Sequence, residues 1–108
     1  MLLELEMADS VVQEIYNDLS LAWVYNKKSK VRHNNYLKLY SDKANIIAKC
    51  IKLINDNHIE QVKYRISEQD DMLLISFKFY GIKVKHNSFS YHLPKIYRNI
   101  LTNNEIVA

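Results

Sequence analysis

The chain has 108 residues, of which 48% are hydrophobic and 25% charged, the size and make-up of one globular domain with no room for a second. A lone cysteine, Cys50, excludes an internal disulfide and points to a reducing compartment, while a lone glycine excludes a glycine-rich phosphate loop. The apolar runs are too short to span a membrane, and Met1 to Glu6 carries neither the basic start nor the apolar stretch of a secretory signal, so a cytoplasmic location is expected.

Apolar residues at three- and four-residue steps, Val12, Ile15, Tyr16, Leu19, Ala22 and Trp23, predict an amphipathic helix over about 9–26. Ser10 and Gln13 read as its capping box, although Leu5 and Ala8 extend the stripe backwards and leave a start near residue 3 open. The small and charged residues from Asn26 to Lys30 predict a connection. A second helix follows over about 36–56, with Tyr36, Tyr40, Ala44, Ile47, Ile51 and Ile54 on one side and Lys38, Asp42, Asn45, Lys49, Lys52 and Asp56 on the other.

After His58 the apolar period drops from about 3.6 to 2, the change expected where helix gives way to strand. Strands are predicted over about 60–67, 72–79 and 82–88, with a polar turn at Glu68 to Asp71 and a tight turn at Tyr80-Gly81. Pro94 is expected in the first turn of a last helix over about 94–102, and 103–108 as a frayed tail. The resulting order, α-α-β-β-β-α, predicts a single α+β domain: a three-stranded antiparallel meander with helices on one face. A two-residue turn at 80–81 would pair Phe79 with Ile82, and a four-residue turn at 68–71 would pair Ile66 with Leu73.

Charge is segregated along the chain. Residues 1–26 hold Glu4, Glu6, Asp9, Glu14 and Asp18 without one Lys or Arg; 27–52 are strongly basic; 53–71 are acidic; 72–98 hold Lys78, Lys83, Lys85, Lys95 and Arg98 without an acid. Such blocks produce local fields that steer partners even at the modest total of +3. On the expected sheet, Lys63, Arg65, Lys78, Lys83 and Lys85 share the solvent face, with Lys78 directly opposite Lys83, an unfavourable like-charge pairing. Lys27, Lys28, Lys30, Arg32 and His33 form a second basic cluster at the helix-helix junction. Only three of the 15 basic residues are Arg, which favours phosphate contact over base reading. Tyr25, Tyr80, Phe89 and Tyr91 are candidates for exposed stacking, whereas Tyr16, Tyr40 and Tyr64 fall on core stripes.

The element order resembles the α-β-β-β-α plan of the double-stranded-RNA-binding domain over roughly residues 36–102. That family carries a Pro-and-His-bearing loop between its first two strands and a lysine cluster opening its last helix. Here Glu68-Gln-Asp-Asp71 and Pro94-Lys95-Ile-Tyr stand in those places, so the likeness is one of plan.

No cofactor is expected: His33, His58, His86 and His92 have no paired Cys or carboxylate at ligand spacing, and Cys50 belongs to the apolar arc. The leading expectation is a small non-enzymatic binding protein that docks a nucleic acid or nucleoprotein through its basic sheet face. Glu14 and Asp18 would then either meet a basic partner or neutralise the protein's own lysines. An alternative is an accessory protein of a phage or mobile element that binds and blocks a nucleic-acid-processing enzyme, such as a CRISPR-type or other defence nuclease. A third is a small phosphodiesterase using His86 and His92 as general acid and base beside Lys85.

Overall fold

A computed structural model of the chain describes residues 2–27 and 33–102, with side chains described for 2–24 and 40–102. The first helix, α1 (Ser10–Lys27), starts at the later of the two positions left open by the sequence. Its cap is Asp9, whose Oδ1 accepts a 2.8 Å hydrogen bond from the Val11 amide while the Asp9 carbonyl accepts from Gln13. Gln13 does not close a capping box with Ser10; its amide donates backwards to the Ala8 carbonyl at 2.9 Å. Residues Leu5–Met7 form a 3-10 turn, and Leu3–Glu4 a short strand, β1.

The second helix, α2 (His33–Asp56), ends in a Schellman motif. Ile59 donates to the Ile54 carbonyl and His58 to that of Asn55, and His58 takes the left-handed conformation at φ 50. Apolar residues at three- and four-residue steps are buried on both helices: Val12, Ile15, Leu19 and Ala22 on α1; Ala44, Ile47, Ile51 and Ile54 on α2. The expected frayed tail, 103–108, lies outside the described residues.

The sheet is the antiparallel meander that the element order predicts, in the strand order β2 (Val62–Gln69), β3 (Met72–Phe79), β5 (Ser88–Pro94). Its registers differ from those expected. The β2–β3 turn holds two residues and not four: Gln69 pairs with Met72, Ile66 with Ile75 and Tyr64 with Phe77. Asp70 takes φ 56, a conformation Asp tolerates better than most residues, and this lets the chain reverse in the shorter span. The two-residue shift leaves every side chain on its expected face, because the strand period is 2.

The third strand is the larger correction. Ile82–Lys83, here β4, leaves the sheet and pairs in parallel with β1, with Leu3 opposite Ile82 and Glu4 opposite Lys83. Gly81, at φ 70, turns the chain away from β3 instead of folding it back as a hairpin, and its carbonyl accepts from the Leu3 amide at 3.0 Å. The partner of β3 is β5, which pairs Phe77 with Phe89, Ile75 with Tyr91 and Leu73 with Leu93. Packing decides this outcome. Phe89, Tyr91 and Leu93 alternate with polar residues and offer much larger apolar side chains to the helices than Ile82 and Val84 would. Pro94 ends β5 in an extended conformation, so the last helical segment begins at Lys95 as a 3-10 turn and continues as α3 (Arg98–Thr102).

Helices and sheet meet across an aromatic layer. Tyr16 lies edge-on to Phe79 and Phe89, Trp23 to Phe89 and Tyr91, and Tyr91 to Phe77. The fully buried Tyr91 hydroxyl donates to the Leu19 carbonyl of α1 at 2.5 Å, and Asn55 of α2 and the Tyr64 hydroxyl of β2 bond each other at 3.0 Å. Phe89 and Tyr91 are therefore core residues, not exposed stacking surfaces. No helix among the described residues is long and apolar enough to cross a membrane.

Two substitutions test this architecture by chemical denaturation. Tyr91→Phe removes the strand-to-helix hydrogen bond and is expected to lower stability by about 1 kcal/mol. His58→Gly removes the left-handed penalty at the end of α2 and is expected to raise it by up to about 1 kcal/mol.

Candidate functional site

Part of the segregated charge folds back on itself. Lys49 of α2 reaches Glu14 Oε1 at 3.0 Å and Asp18 Oδ2 at 3.1 Å, clamping α1 to α2; the two carboxylates hold its ammonium above its ordinary pKa. The acidic pair on the first helix thus neutralises one of the protein's own lysines. Lys52 pairs with Asp56 at 3.2 Å. Glu68, in the β2–β3 hairpin, holds both Lys95 and Arg98. The two segments that depart from the double-stranded-RNA-binding pattern are therefore bound to each other.

Lys83 and Lys85 do not belong to the sheet face on which the sequence placed them. Carried off with β4, they line an open cleft of about 560 Å³ together with Glu4, Glu6, Leu5, Val84 and Tyr16, so the acidic amino-terminal segment lies beside them. Lys27, Lys28, Lys30 and Arg32 contribute no geometry: Lys27 ends α1 with its side chain outside the described residues, and 28–32 lie wholly outside them. Tyr25 is likewise outside the described side chains.

What remains is the outer face of the sheet. The helices cover the face that carries Val62, Tyr64, Leu73, Ile75, Phe77, Phe89, Tyr91 and Leu93, so alternation turns Lys63, Arg65, Ser76, Lys78, Ser88, Ser90 and His92 the other way. Lys63 lies directly opposite Lys78, and Arg65 opposite Ser76 on the next rung of the same face. The expected like-charge pair is present, with Lys63 in place of Lys83. Lys63, Arg65 and Lys78 are exposed, and none of them makes an ion pair among the described residues. Ser76 and Ser90 approach to 3.5 Å across the rung between β3 and β5. At the end of the face Tyr80 is 47% exposed, with the Lys78 ammonium 5.4 Å over its ring. A shallow recess of about 530 Å³ beside β2 is lined by Lys63 together with Asn55, His58, Glu60 and Tyr64.

The arrangement offers cations, hydroxyl groups and the Tyr80 and His92 rings to an anionic ligand, and among the described residues it does not bring His86 and His92 together. The His86 ring stands edge-on to the buried Phe89, on the helix side, whereas His92 pairs with Leu74 on the outer face. Cys50 is buried with its thiol toward the Ile15 carbonyl at 3.9 Å. Burial, with Asp18 nearby, pushes that thiol up to about 12. One charged residue escaped the sequence reading: Lys43 is buried against Tyr40, its ammonium 5.3 Å over the ring, and burial lowers its pKa. Its place beside Ala44 on the inner stripe was the available signal.

No protein-family model, curated protein or solved structure matches this chain.

The raised Cys50 pKa has a definite sign. The folded state disfavours the thiolate, so this contribution to stability is complete below the ordinary value of 9.0 and is lost as pH rises from there toward about 12. Alkaline denaturation followed by circular dichroism should begin at higher pH in Cys50→Ala than in the parent. The parent thiol should resist alkylation in the native state and react once the protein is denatured.

Proposed function

We propose that the protein is a small non-enzymatic binding domain that docks the phosphate backbone of a nucleic acid, free or within a nucleoprotein, on the outer face of its sheet. The observation that carries this reading is the Lys63–Lys78 cross-strand pair with Arg65 one rung away: three exposed cations on the outer face, where among the described residues none is ion-paired and no helix covers them. Lys49, Lys52, Lys95 and Arg98 each have a carboxylate, and Lys83 and Lys85 line a cleft with Glu4 and Glu6, whereas the outer-face trio forms a cluster of cations alone. Placing two ammonium groups on adjacent strands is unfavourable by a few tenths of a kcal/mol, and a polyanion reverses the sign of that term.

Serines on the same rungs add short hydroxyl donors of the kind that accompany Lys and Arg at phosphates. Two lysines and one arginine suit contact with the backbone, which is independent of sequence, better than reading of base edges. The reading is one of binding without turnover, consistent with His86 and His92 lying on opposite sides of the sheet.

Lys78→Glu separates this role from a structural one. Replacing one member of a like-charged pair should leave stability unchanged or raise it by a few tenths of a kcal/mol. Binding of short fluorescent oligonucleotides, measured by anisotropy, should fall at least tenfold. Across a salt series the parent should give a slope of log K against log salt of about −2 to −3, the value for three neutralised phosphates, and Lys78→Glu a shallower one. Undiminished binding by Lys78→Glu and Arg65→Glu, or no binding by the parent, overturns the proposal.

A further inference from the structure

Resting on that reading, we infer that the ligand is a single strand rather than a duplex, laid along β3 with one base stacked on Tyr80. The residues Tyr80, Lys78 and Ser76 follow one another at two-residue steps along the chain, a spacing of about 7 Å in extended backbone. Lys78 and Ser76 lie on the outer face, and the Lys78 ammonium sits 5.4 Å over the Tyr80 ring, so the ring stands at the end of the same row. A ring and a cation are thereby held side by side, and the ammonium, which shares the ring with a base only by moving off it, has a phosphate to move to in a bound strand.

In a duplex the bases are stacked on one another and closed to such a ring; in a single strand each exposes a π-face. Among the stacking candidates whose side chains are described, Tyr80 is the one on the surface, at 47% exposure, since Phe89 and Tyr91 are in the core. The backbone amide of Tyr80 donates to the Gln61 carbonyl at 2.7 Å, which fixes the ring's origin to the start of β2, where Lys63 follows two residues later. At Ser76 the polar surface widens across the sheet to Ser90 on one side and Arg65 on the other, and the two short serine side chains let a sugar-phosphate backbone approach the sheet before β3 runs on to Leu74 and Met72. The exposed His92 ring lies across from Leu74, two residues beyond Ser76, and Tyr80 is the exposed phenol or indole on this face among the described residues, so a single base stacked on Tyr80, with weak dependence on base identity, is expected.

The test uses the full chain with single-stranded oligonucleotides that carry 2-aminopurine, each compared with its duplex. The single strand should bind more tightly than the duplex, and 2-aminopurine fluorescence should be quenched on binding. Tyr80→Phe should keep both properties. Tyr80→Ala should weaken single-strand binding about 5- to 100-fold and abolish the quenching while leaving the salt slope unchanged, because the ammonium contacts persist. Lys78→Glu should do the reverse, weakening binding with a shallower slope. Equal or tighter binding of the duplex, or Tyr80→Ala indistinguishable from the parent, overturns the single-strand inference and leaves backbone docking standing. Failure of both oligonucleotide forms to bind removes both.

Discussion

Leu73, Ile75, Phe77 and Phe79 of the central strand are each at most 3% exposed, packed with the buried stripes of both long helices. A strand's side chains alternate, so burying these four commits Met72, Leu74, Ser76 and Lys78 to the opposite surface. The neighbouring strands follow through their ladders: Lys63 must face outwards once Tyr64 pairs with Phe77, and Ser90 once Tyr91 pairs with Ile75. The position of every cation on the outer face is thus a consequence of apolar burial on the inner one. Each large buried side chain contributes about 1.5–3 kcal/mol, against a few tenths for the like-charge pair, so the core wins and the lysines are carried along.

The same hierarchy explains where the remaining charge goes. Apolar packing sets α1 against α2, and the acids of the first block then meet Lys49 of the second. Exposed ion pairs of this kind are each worth under about 1 kcal/mol, too little to direct the fold, yet enough to remove a local field. Glu68 does likewise for Lys95 and Arg98, and Glu4 and Glu6 share a cleft with Lys83 and Lys85. Among the described residues, segregation along the chain becomes partial compensation in space, with the outer sheet face left positive. That is why a chain of net charge +3 can present a concentrated cationic surface.

Helix periods, the change to period 2 after His58, and the parity of residues on β2 and β3 could be read without coordinates, because each depends on local geometry alone. Parity survived even where register did not, since the β2–β3 error was an even number of residues. Thus Lys63, Arg65 and Lys78 were identifiable as outward-facing, and a like-charge cross-strand pair was foreseeable, although Lys63 and not Lys83 is the partner of Lys78. The strand Ser88–Pro94 was legible in principle, from Phe89, Tyr91 and Leu93 alternating with Ser88, Ser90 and His92. A glycine at position 81 is compatible with a hairpin and with a departure, and local sequence does not distinguish them.

Competition between distant segments made the remaining decisions. Whether Ile82 or Phe89 lies against β3 depends on which gives the helices more apolar surface, and on β1, almost eighty residues away, being there to receive Ile82. The Glu14–Lys49–Asp18 clamp and the Tyr80–Lys78 contact likewise required three-dimensional placement. Composition and periodicity determined the α+β class, the two long helices and the faces of β2 and β3, through rules that act within a few residues. Only the tertiary structure decided which strands are neighbours and which charges cancel, because pairing energies are settled by whatever the folded chain brings together.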